Sequence, residues 1–286
     1  MNVIKNYKLF YAISLAVIAV GLIMFAVNGL NYGIDFTGGT MLQLEVGKFV
    51  SVEQAREIVS VYDENASIIH SGPEKSELII RSSKDLSNKD TTEIVSQFVE
   101  VYGMDGSNFQ TQKFGPFMGK EIRDRAIFSV IIASVLMLAY ISFRFQFKFG
   151  VAAVIALVHD VLVTFAVYSV LRLPVNSSFI AAILTIVGYS INDTIVIFDR
   201  IREESKIYPK LGFGEVINNS IKLSLRRTLF TTLTTLMAVT ILYIVGVEDV
   251  KVLALPLFIG MVSGTYSSLF IATPILYSLK RLKTNG

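Results

Sequence analysis

The chain has 286 residues, of which 52% are hydrophobic and 17% are charged, a composition too apolar for a soluble globular protein and typical of one embedded in the lipid bilayer. It contains no Cys and only two His, which excludes disulfides, thiolate chemistry and histidine-rich metal sites. The formal net charge of +3 is small and the basic residues flank apolar segments, so membrane topology explains them better than nucleic-acid binding, and no cofactor is expected.

The first apolar segment, residues 9–27, is long enough to cross a hydrocarbon core of about 30 Å. Lys5 and Lys8 precede it, as basic residues precede the apolar part of a secretory signal peptide. However, the segment exceeds the usual length of about 7 to 15 apolar residues, and no A-x-A-like cleavage site follows. We therefore interpret residues 1–28 as a short N-terminal segment and a retained transmembrane helix.

Residues 29–125 form a more polar segment in which strand and helix patterns alternate. Alternating apolar residues and short β runs predict four strands, and apolar residues at helical spacing predict two helices. The resulting order is βαββαβ, that of a ferredoxin-like, or split βαβ, α+β domain. The predicted strands are 40–46, 67–71, 77–82 and 108–114, and the predicted helices are 52–62 and 90–102.

A glycine-rich stretch, GIDFTGGT, joins the first apolar segment to this domain. Gly33 and Gly38 are spaced like the glycines of a phosphate-binding loop, but Gly39 stands where that loop needs its lysine. No strand-to-helix context follows either. We therefore interpret the stretch, which includes Asp35, as a turn that connects the membrane helix to the sheet.

Five further apolar segments predict a membrane bundle in residues 126–286 and bring the number of spans to six. An even number of spans places both termini on one side, where most basic residues outside the α+β domain also fall, including those of the predicted loop 199–227. The short opposite loops carry only Arg172 and Lys251. By the positive-inside rule, the termini and this loop are predicted to be cytoplasmic and the α+β domain extracytoplasmic. The five segments are 126–143, 150–171, 177–198, 228–245 and 252–279.

Two acidic residues lie inside the predicted spans. Asp160 follows His159 in the third span, and Asp193 follows Asn192 in the fourth, about two turns closer to the cytoplasmic end. A carboxylate at the centre of a membrane helix costs about 2.5 to 3.5 kcal/mol on insertion scales, so such residues are functional candidates that face the bundle or water. The G-x-G-D sequence of intramembrane aspartyl proteases is absent at Asp193. The His159–Asp160 pair is either functional or structural.

Arg227 opens the fifth span and shares one helical stripe with Thr231 and Thr235. Because Asp193 and Arg227 both lie toward the cytoplasmic ends of their spans, they could form an ion pair that protonation of Asp193 would break. Alternatively, Arg227 is an ordinary flanking residue, like Arg226.

The sixth span carries a G-x-x-x-G pattern at Gly260 and Gly264, extended by Ser268. Small residues at this spacing allow two membrane helices to approach closely. The pattern therefore predicts a tightly packed bundle.

In the fourth span, Thr185 and Tyr189 share a helical stripe with Asp193.

Three stretches resemble the SecF family, the smaller membrane partners of SecD in bacterial protein export and a branch of the resistance-nodulation-division superfamily. They are GIDFTGG at residues 33–39, VGYSINDTIVIFDRIRE at residues 187–203, and Arg227 with the threonines behind it. The resemblance covers essentially the whole chain. It implies that Asp193 and Arg227 belong to a proton pathway, and that His159 and Asp160 match a His-Asp pair of the family.

The resemblance also implies partners and an energy source. A SecD-like subunit, and through it the SecYEG channel and often YajC, would form a complex in the bacterial cytoplasmic membrane. That complex would use the proton-motive force to promote late stages of the export of unfolded preproteins. Because related pumps have twelve spans in two similar halves, a partner half that contributes its own acid is expected.

The expected mechanism is not enzymatic. A proton neutralises Asp193 and weakens its attraction to Arg227, which changes the packing of the spans and moves the external domain, while Asn192 holds the carboxylate by a hydrogen bond. A potential of about 150 mV supplies roughly 3.5 kcal/mol per charge, enough to bias a two-state element. Two alternatives stay open: a proton-coupled exporter of small solutes or lipids of the same superfamily, and a passive scaffold subunit.

Overall fold

The structure is a computed structural model that describes residues 2–281. Within this range, six helical segments are long and apolar enough to cross a membrane. The first, α1 (Val3–Asn28), begins at the N-cap Asn2, whose side chain accepts a hydrogen bond from the backbone N–H of Lys5. It starts before the predicted span because the apolar pattern marks only the part in hydrocarbon, whereas helical hydrogen bonding continues into the polar flank.

The glycine-rich stretch contains more structure than the predicted turn. After α1 come a two-residue strand, β1 (Asn31–Tyr32), and a one-turn helix, α2 (Ile34–Thr37). Gly38 and Gly39 follow with φ values of +81° and +141°. A Cβ at Gly39 would lie 2.1 Å from the carbonyl oxygen of Ser82, so both the backbone conformation and the lack of space require glycine here.

The following domain has the predicted βαββαβ order. Its four antiparallel strands lie in the spatial order β3-β4-β2-β5, so each βαβ unit is split by a strand of the other unit. This arrangement confirms the predicted ferredoxin-like topology. Its elements are β2 (Gly39–Glu45), α3 (Val52–Val59), β3 (Ser67–Ser71), β4 (Glu77–Ser82), α4 (Asn88–Tyr102) and β5 (Phe109–Phe114).

The core of this domain lies between one face of the sheet and the two helices. Leu42 and Leu44 of β2 are fully buried, as are Ile80 of β4 and Phe98 of α4. In the antiparallel register, Leu42 lies opposite Ile80, so alternate residues of both strands reach the helices. Both helices start with a capping box, at Ser51 and Ser87.

The remaining chain forms the other membrane helices. Helix α5 begins directly after β5, ten residues before the predicted span, so the boundary predicted at residue 125 falls inside a helix. A short strand, β6, pairs in parallel with β1. The elements are α5 (Pro116–Arg144), α6 (Phe147–Val170), β6 (Pro174–Val175), α7 (Ser177–Ile207), α8 (Phe213–Val245), α9 (Glu248–Ser267), a π-helical turn (Ser268–Ala272) and α10 (Thr273–Arg281).

The predicted cytoplasmic loop 199–227 is mostly helical. Helix α7 continues to Ile207 and α8 starts at Phe213, which leaves only residues 208–212 between them. The sequence interpretation missed this because the segment is too polar for a span. Its apolar residues nevertheless recur at helical spacing and pack together, with Ile201, Ile217 and Ile221 all fully buried.

The predicted close packing at the G-x-x-x-G pattern is confirmed. A Cβ at Gly260 would lie 2.2 Å from the Cδ1 atom of Ile186, and a Cβ at Gly264 would lie 2.9 Å from the Cβ atom of Ser190. At this crossing, helices α7 and α9 therefore lie too close together for a side chain at either glycine position. This crossing brings the hydroxyl side chains of α9 against α6 and α7, where the two membrane aspartates lie.

Candidate functional site

Asp160 is fully buried and lies at the centre of a hydrogen-bond network. Its Oδ1 atom accepts a hydrogen bond of 2.8 Å from Ser263 and lies 3.1 Å from His159 Nδ1. Its Oδ2 atom accepts hydrogen bonds of 2.6 Å from Ser190 and 2.8 Å from Ser267. These contacts satisfy both carboxylate oxygens, which offsets the loss of hydration. The network joins α6, α7 and α9 around one acid.

His159 extends this network to the first helix. Its Nε2 atom lies 2.8 Å from the hydroxyl of Ser14 in α1. The imidazole also stacks on the ring of Tyr266, with centroids 6.0 Å apart, and the Tyr266 hydroxyl donates a hydrogen bond to the carbonyl of Phe10. The predicted His159–Asp160 pair is therefore in direct contact and links four membrane helices.

Asp193 is also buried, but its hydrogen bonds are longer. Only 3% of the residue is exposed, and its Oδ2 atom lies 3.4 Å from the hydroxyl of Thr232 in α8 and 3.3 Å from that of Thr265 in α9. The two threonine hydroxyls lie 2.7 Å apart. Hydrogen bonds to a carboxylate are normally shorter than about 3 Å, so Asp193 is held less tightly than Asp160.

The predicted ion pair between Asp193 and Arg227 is not formed: no contact within 4 Å joins them among the ion pairs of residues 2–281. Thr228 and Thr232 of α8 are buried and face the bundle. Arg227 and Thr231 each precede one of them by one residue and lie on the exposed face of the same helix.

The predicted hydrogen bond from Asn192 to Asp193 is likewise absent from the part of the chain that the structure describes. Asn192 is exposed on α7, because consecutive residues of a helix point about 100° apart. Thr185 lies on the same exposed side, while Tyr189 is half-buried. The predicted polar stripe of α7 therefore starts at the surface and ends inside the bundle.

The two acids lie closer in depth than predicted. Ser190, which donates to Asp160, precedes Asp193 by three residues in α7, which corresponds to about 4.5 Å along the axis instead of two turns. The prediction estimated the depth of each acid by counting residues from the ends of its apolar segment. It was wrong because α7 extends well beyond the segment that its apolar residues mark. The serine ligands of Asp160 were also missed, although Ser263 and Ser267 have the four-residue spacing of one helix face.

The glycine-rich stretch contacts the helix that carries Asp193. The Asp35 Oδ2 atom accepts a hydrogen bond of 2.9 Å from the backbone N–H of Ser177, the first residue of α7. The Gly33 N–H donates to the carbonyl of Val175, and a Cβ at Gly33 would lie 3.1 Å from the Cβ of Asn176. The carboxylate is favourably placed at the positive end of the helix dipole. The stretch thus connects α1 to the sheet and also binds the start of α7.

Residues 94–282 match the family described as protein export membrane protein SecD/SecF, C-terminal, and residues 23–48 match the SecD/SecF GG motif. Curated SecF translocase subunits are similar over most of their length. That of Desulfurispirillum indicum is 38% identical over 93% of this chain and 87% of its own, and that of Dictyoglomus turgidum is 35% identical over 96% and 95%.

Solved structures of SecDF show the same fold. The crystal structure of SecDF from Thermus thermophilus, a translocon-associated membrane protein, superposes with a TM-score of 0.84 at 34% identity. It covers 98% of this chain, whereas this chain spans 39% of that one. A super-membrane-facing form of SecDF superposes with a TM-score of 0.75. The chain therefore belongs to the SecD/SecF family of protein-export membrane proteins, and within it to the SecF subunits.

Proposed function

We propose that this SecF-type subunit couples proton movement to the export of unfolded polypeptides, through protonation of Asp193 and without catalysing a covalent reaction. The observation that carries the proposal is the contrast between the two buried acids. Asp160 has four contacts of 2.6 to 3.1 Å that stabilise its carboxylate. Among the described residues Asp193 has two longer ones, so a proton that neutralises it disrupts fewer and weaker hydrogen bonds.

Hydroxyl groups near Asp193 support a proton route on both sides of it. The hydroxyls of Tyr189 and Thr228 are buried and have no hydrogen-bond partner among the described residues. Tyr189 lies one turn before Asp193 in α7, and Thr228 lies one turn before Thr232 in α8. Because α7 and α8 run in opposite directions, the two hydroxyls lie on opposite sides of Asp193 along the membrane normal.

Helix α7 provides the connection between the proton site and the external domain. Asp193 lies in the middle of this helix, and the hydrogen bond from Ser177 to Asp35 ties its start to the segment that leads into β2. A change in α7 position on protonation would therefore be transmitted to the base of the α+β domain. About 3.5 kcal/mol per proton at roughly 150 mV is sufficient to shift a two-state equilibrium with a gap of a few kcal/mol.

An exposed polar face on α7 and α8 supports a partner half in the membrane. Thr185 and Asn192 of α7 and Arg227, Thr231 and Thr234 of α8 are exposed in this chain. Polar residues at membrane depth face lipid only at a cost, so a second set of helices is expected to cover them. A SecD-like subunit fits this role, and SecYEG, YajC and the translocating preprotein are the further partners we propose.

The proposed topology places both termini in the cytoplasm and the α+β domain outside, in the cytoplasmic membrane of a bacterium. The basic residues support it, because they cluster at the membrane end where α1 begins and α10 ends. In this orientation the short loop 208–212 is cytoplasmic, and β1 and β6 lie at the outer surface.

The central test is preprotein export into sealed inverted vesicles that contain the whole complex, with and without an imposed proton gradient. Asp193→Asn removes the titrating group but keeps its shape, so we expect it to abolish the stimulation by the gradient while the subunit still copurifies with its partner. Asp199→Asn is the matched control, since it makes the same change nearly two turns further along α7, and it should export like the unmodified protein.

The same experiment separates the alternatives. A passive scaffold would tolerate Asp193→Asn, so a normal response to the gradient would refute proton coupling through this residue. An exporter of small solutes or lipids would instead lose solute efflux on deletion of the subunit while preprotein export continued unchanged.

A further inference from the structure

A large open cavity lies at the end of the bundle where α1 begins. Its volume is about 1410 Å³, and neither Asp160 nor Asp193 is among its described lining residues. The starts of α1, α6 and α8 and the end of α10 surround it, so four separate helices contribute to its wall. Nothing in the proton-coupling proposal uses this cavity.

The cavity wall is strongly basic. Lys5, Lys148, Lys280 and Arg281 line it, whereas Glu215 is the only acidic residue among its described lining residues. The Nζ atom of Lys148 donates a hydrogen bond to the carbonyl of Leu279, the residue before Lys280, so these two basic residues lie beside each other. Several cations around one concave surface raise the local concentration of anions.

Two helix starts add to the positive potential. Gln146 and Gly212, the N-caps of α6 and α8, both line the cavity, and the Gln146 side chain makes no capping hydrogen bond. The positive ends of two helix dipoles therefore border the same space as the four basic side chains. These contributions favour a ligand with a concentrated negative charge, such as a phosphate group.

The wall also has an apolar part. Ile4, Phe213 and Tyr277 line the cavity beside the basic residues, and the Nζ atom of Lys280 lies 4.2 Å from the centre of the Phe213 ring. The combination suits an amphiphile. Because the cavity lies between helices at one end of the membrane spans, we expect it to be level with the headgroups of one leaflet.

We propose that this cavity binds the phosphate headgroup of an anionic phospholipid. The basic residues contact the phosphate, and the apolar part of the wall contacts the glycerol and the first methylene groups. Basic pockets between membrane helices are general sites for such headgroups. A lipid bound here would bridge the ends of α1, α6, α8 and α10.

The test is native mass spectrometry of the full chain in detergent, with phosphatidylglycerol or phosphatidylcholine added at equal concentrations. The cavity variant is Lys5→Gln with Arg281→Gln. The matched control, Lys8→Gln with Lys206→Gln, removes the same charge at the same membrane end, away from the cavity. We expect the unmodified chain and the control to retain phosphatidylglycerol in preference to phosphatidylcholine, and the cavity variant to bind it about tenfold more weakly.

Two results would overturn the proposal. Equal binding of phosphatidylglycerol by the cavity variant and the control would show that the lipid binds elsewhere. Displacement of phosphatidylglycerol by an equal concentration of inorganic phosphate, in the unmodified chain, would assign the cavity to a soluble phosphate compound. A second variant, Lys148→Gln with Lys280→Gln, should lose the lipid at least as strongly as the first if both pairs surround one phosphate.

Discussion

Asp160 and Asp193 illustrate two ways of keeping a carboxylate inside a membrane bundle. Asp160 is surrounded by three serine hydroxyls and His159, which makes it a fixed acceptor that holds three helices together. Asp193 has fewer and longer contacts, and its two threonine partners can bond to each other. We therefore propose a structural role for the first acid and a proton-carrying role for the second.

This assignment makes a comparative prediction about stability. Asp160→Ala leaves the buried hydroxyls of Ser190 and Ser263 without their acceptor, whereas Ser267 keeps its contact with the Gly264 carbonyl. Each unsatisfied group costs about 1–3 kcal/mol. Asp193→Ala leaves two threonine hydroxyls that already contact each other. Thermal unfolding in detergent should therefore show a much larger decrease in Tm for Asp160→Ala than for Asp193→Ala. Equal decreases would contradict the division of roles.

At the scale of elements, helix α7 is the part on which the proposed mechanism depends. It crosses α9 at Gly260 and Gly264, it contains Ser190 and Asp193, and its start is held by Asp35. One helix thus contacts the Asp160 network, carries the acid that we propose is protonated and contacts the segment that leads into the α+β domain.

The crossing of α7 and α9 can be tested with a pair of glycines. Gly264→Leu places a side chain where even a Cβ would lie 2.9 Å from Ser190, so we expect loss of folded protein or a large decrease in Tm. Gly188→Leu makes the same change in the exposed face of α7, where a Cβ would have no neighbouring atom within 4 Å. That variant should fold normally by size-exclusion chromatography, and a comparable loss there would contradict the packing.

The contact between Asp35 and α7 predicts a defect in coupling without a defect in folding. Asp35→Ala removes one hydrogen bond at the surface, from the N–H of Ser177, which is worth about 0.5–2 kcal/mol for capping interactions. We expect a Tm close to that of the unmodified chain and a reduced stimulation of export by the proton gradient. Unchanged stimulation would show that α7 does not act on the external domain through this contact.

At the scale of the whole molecule, the chain presents an α+β domain at one end of the bundle and a basic cavity at the other. The exposed polar residues of α7 and α8 lie between these two ends. The three partners that we propose, a polypeptide, a membrane partner half and a lipid, would therefore bind to separate surfaces of the molecule.

The orientation can be measured directly because the chain has no native Cys. Single cysteines can replace Lys89, in α4, and Lys206, at the end of α7, both of which are exposed. In intact cells a membrane-impermeant maleimide should label the first and leave the second unlabelled until the membrane is opened. The reverse pattern would invert the proposed topology.

The sequence by itself determined the number of spans, the βαββαβ order and the close helix approach at Gly260 and Gly264. These features follow from local patterns: apolar length, alternation and the spacing of small residues. The same patterns identified Asp160 and Asp193 as exceptional, because a charge in an apolar run is visible without any knowledge of its neighbours.

Only the tertiary structure decided which groups surround each acid. Ser190, Ser263 and Ser267, which contact Asp160, come from two helices that are far apart in the chain from α6, and Ser14, which contacts His159, comes from a third. A serine in an apolar span has no pattern that reveals its partner. The sequence also could not predict whether Asn192 and Arg227 face the bundle or the surface, because a shift of one position along a helix turns a side chain by about 100°. Contact between distant residues depends on how helices cross and turn against each other, and that is fixed by the packing of the whole bundle.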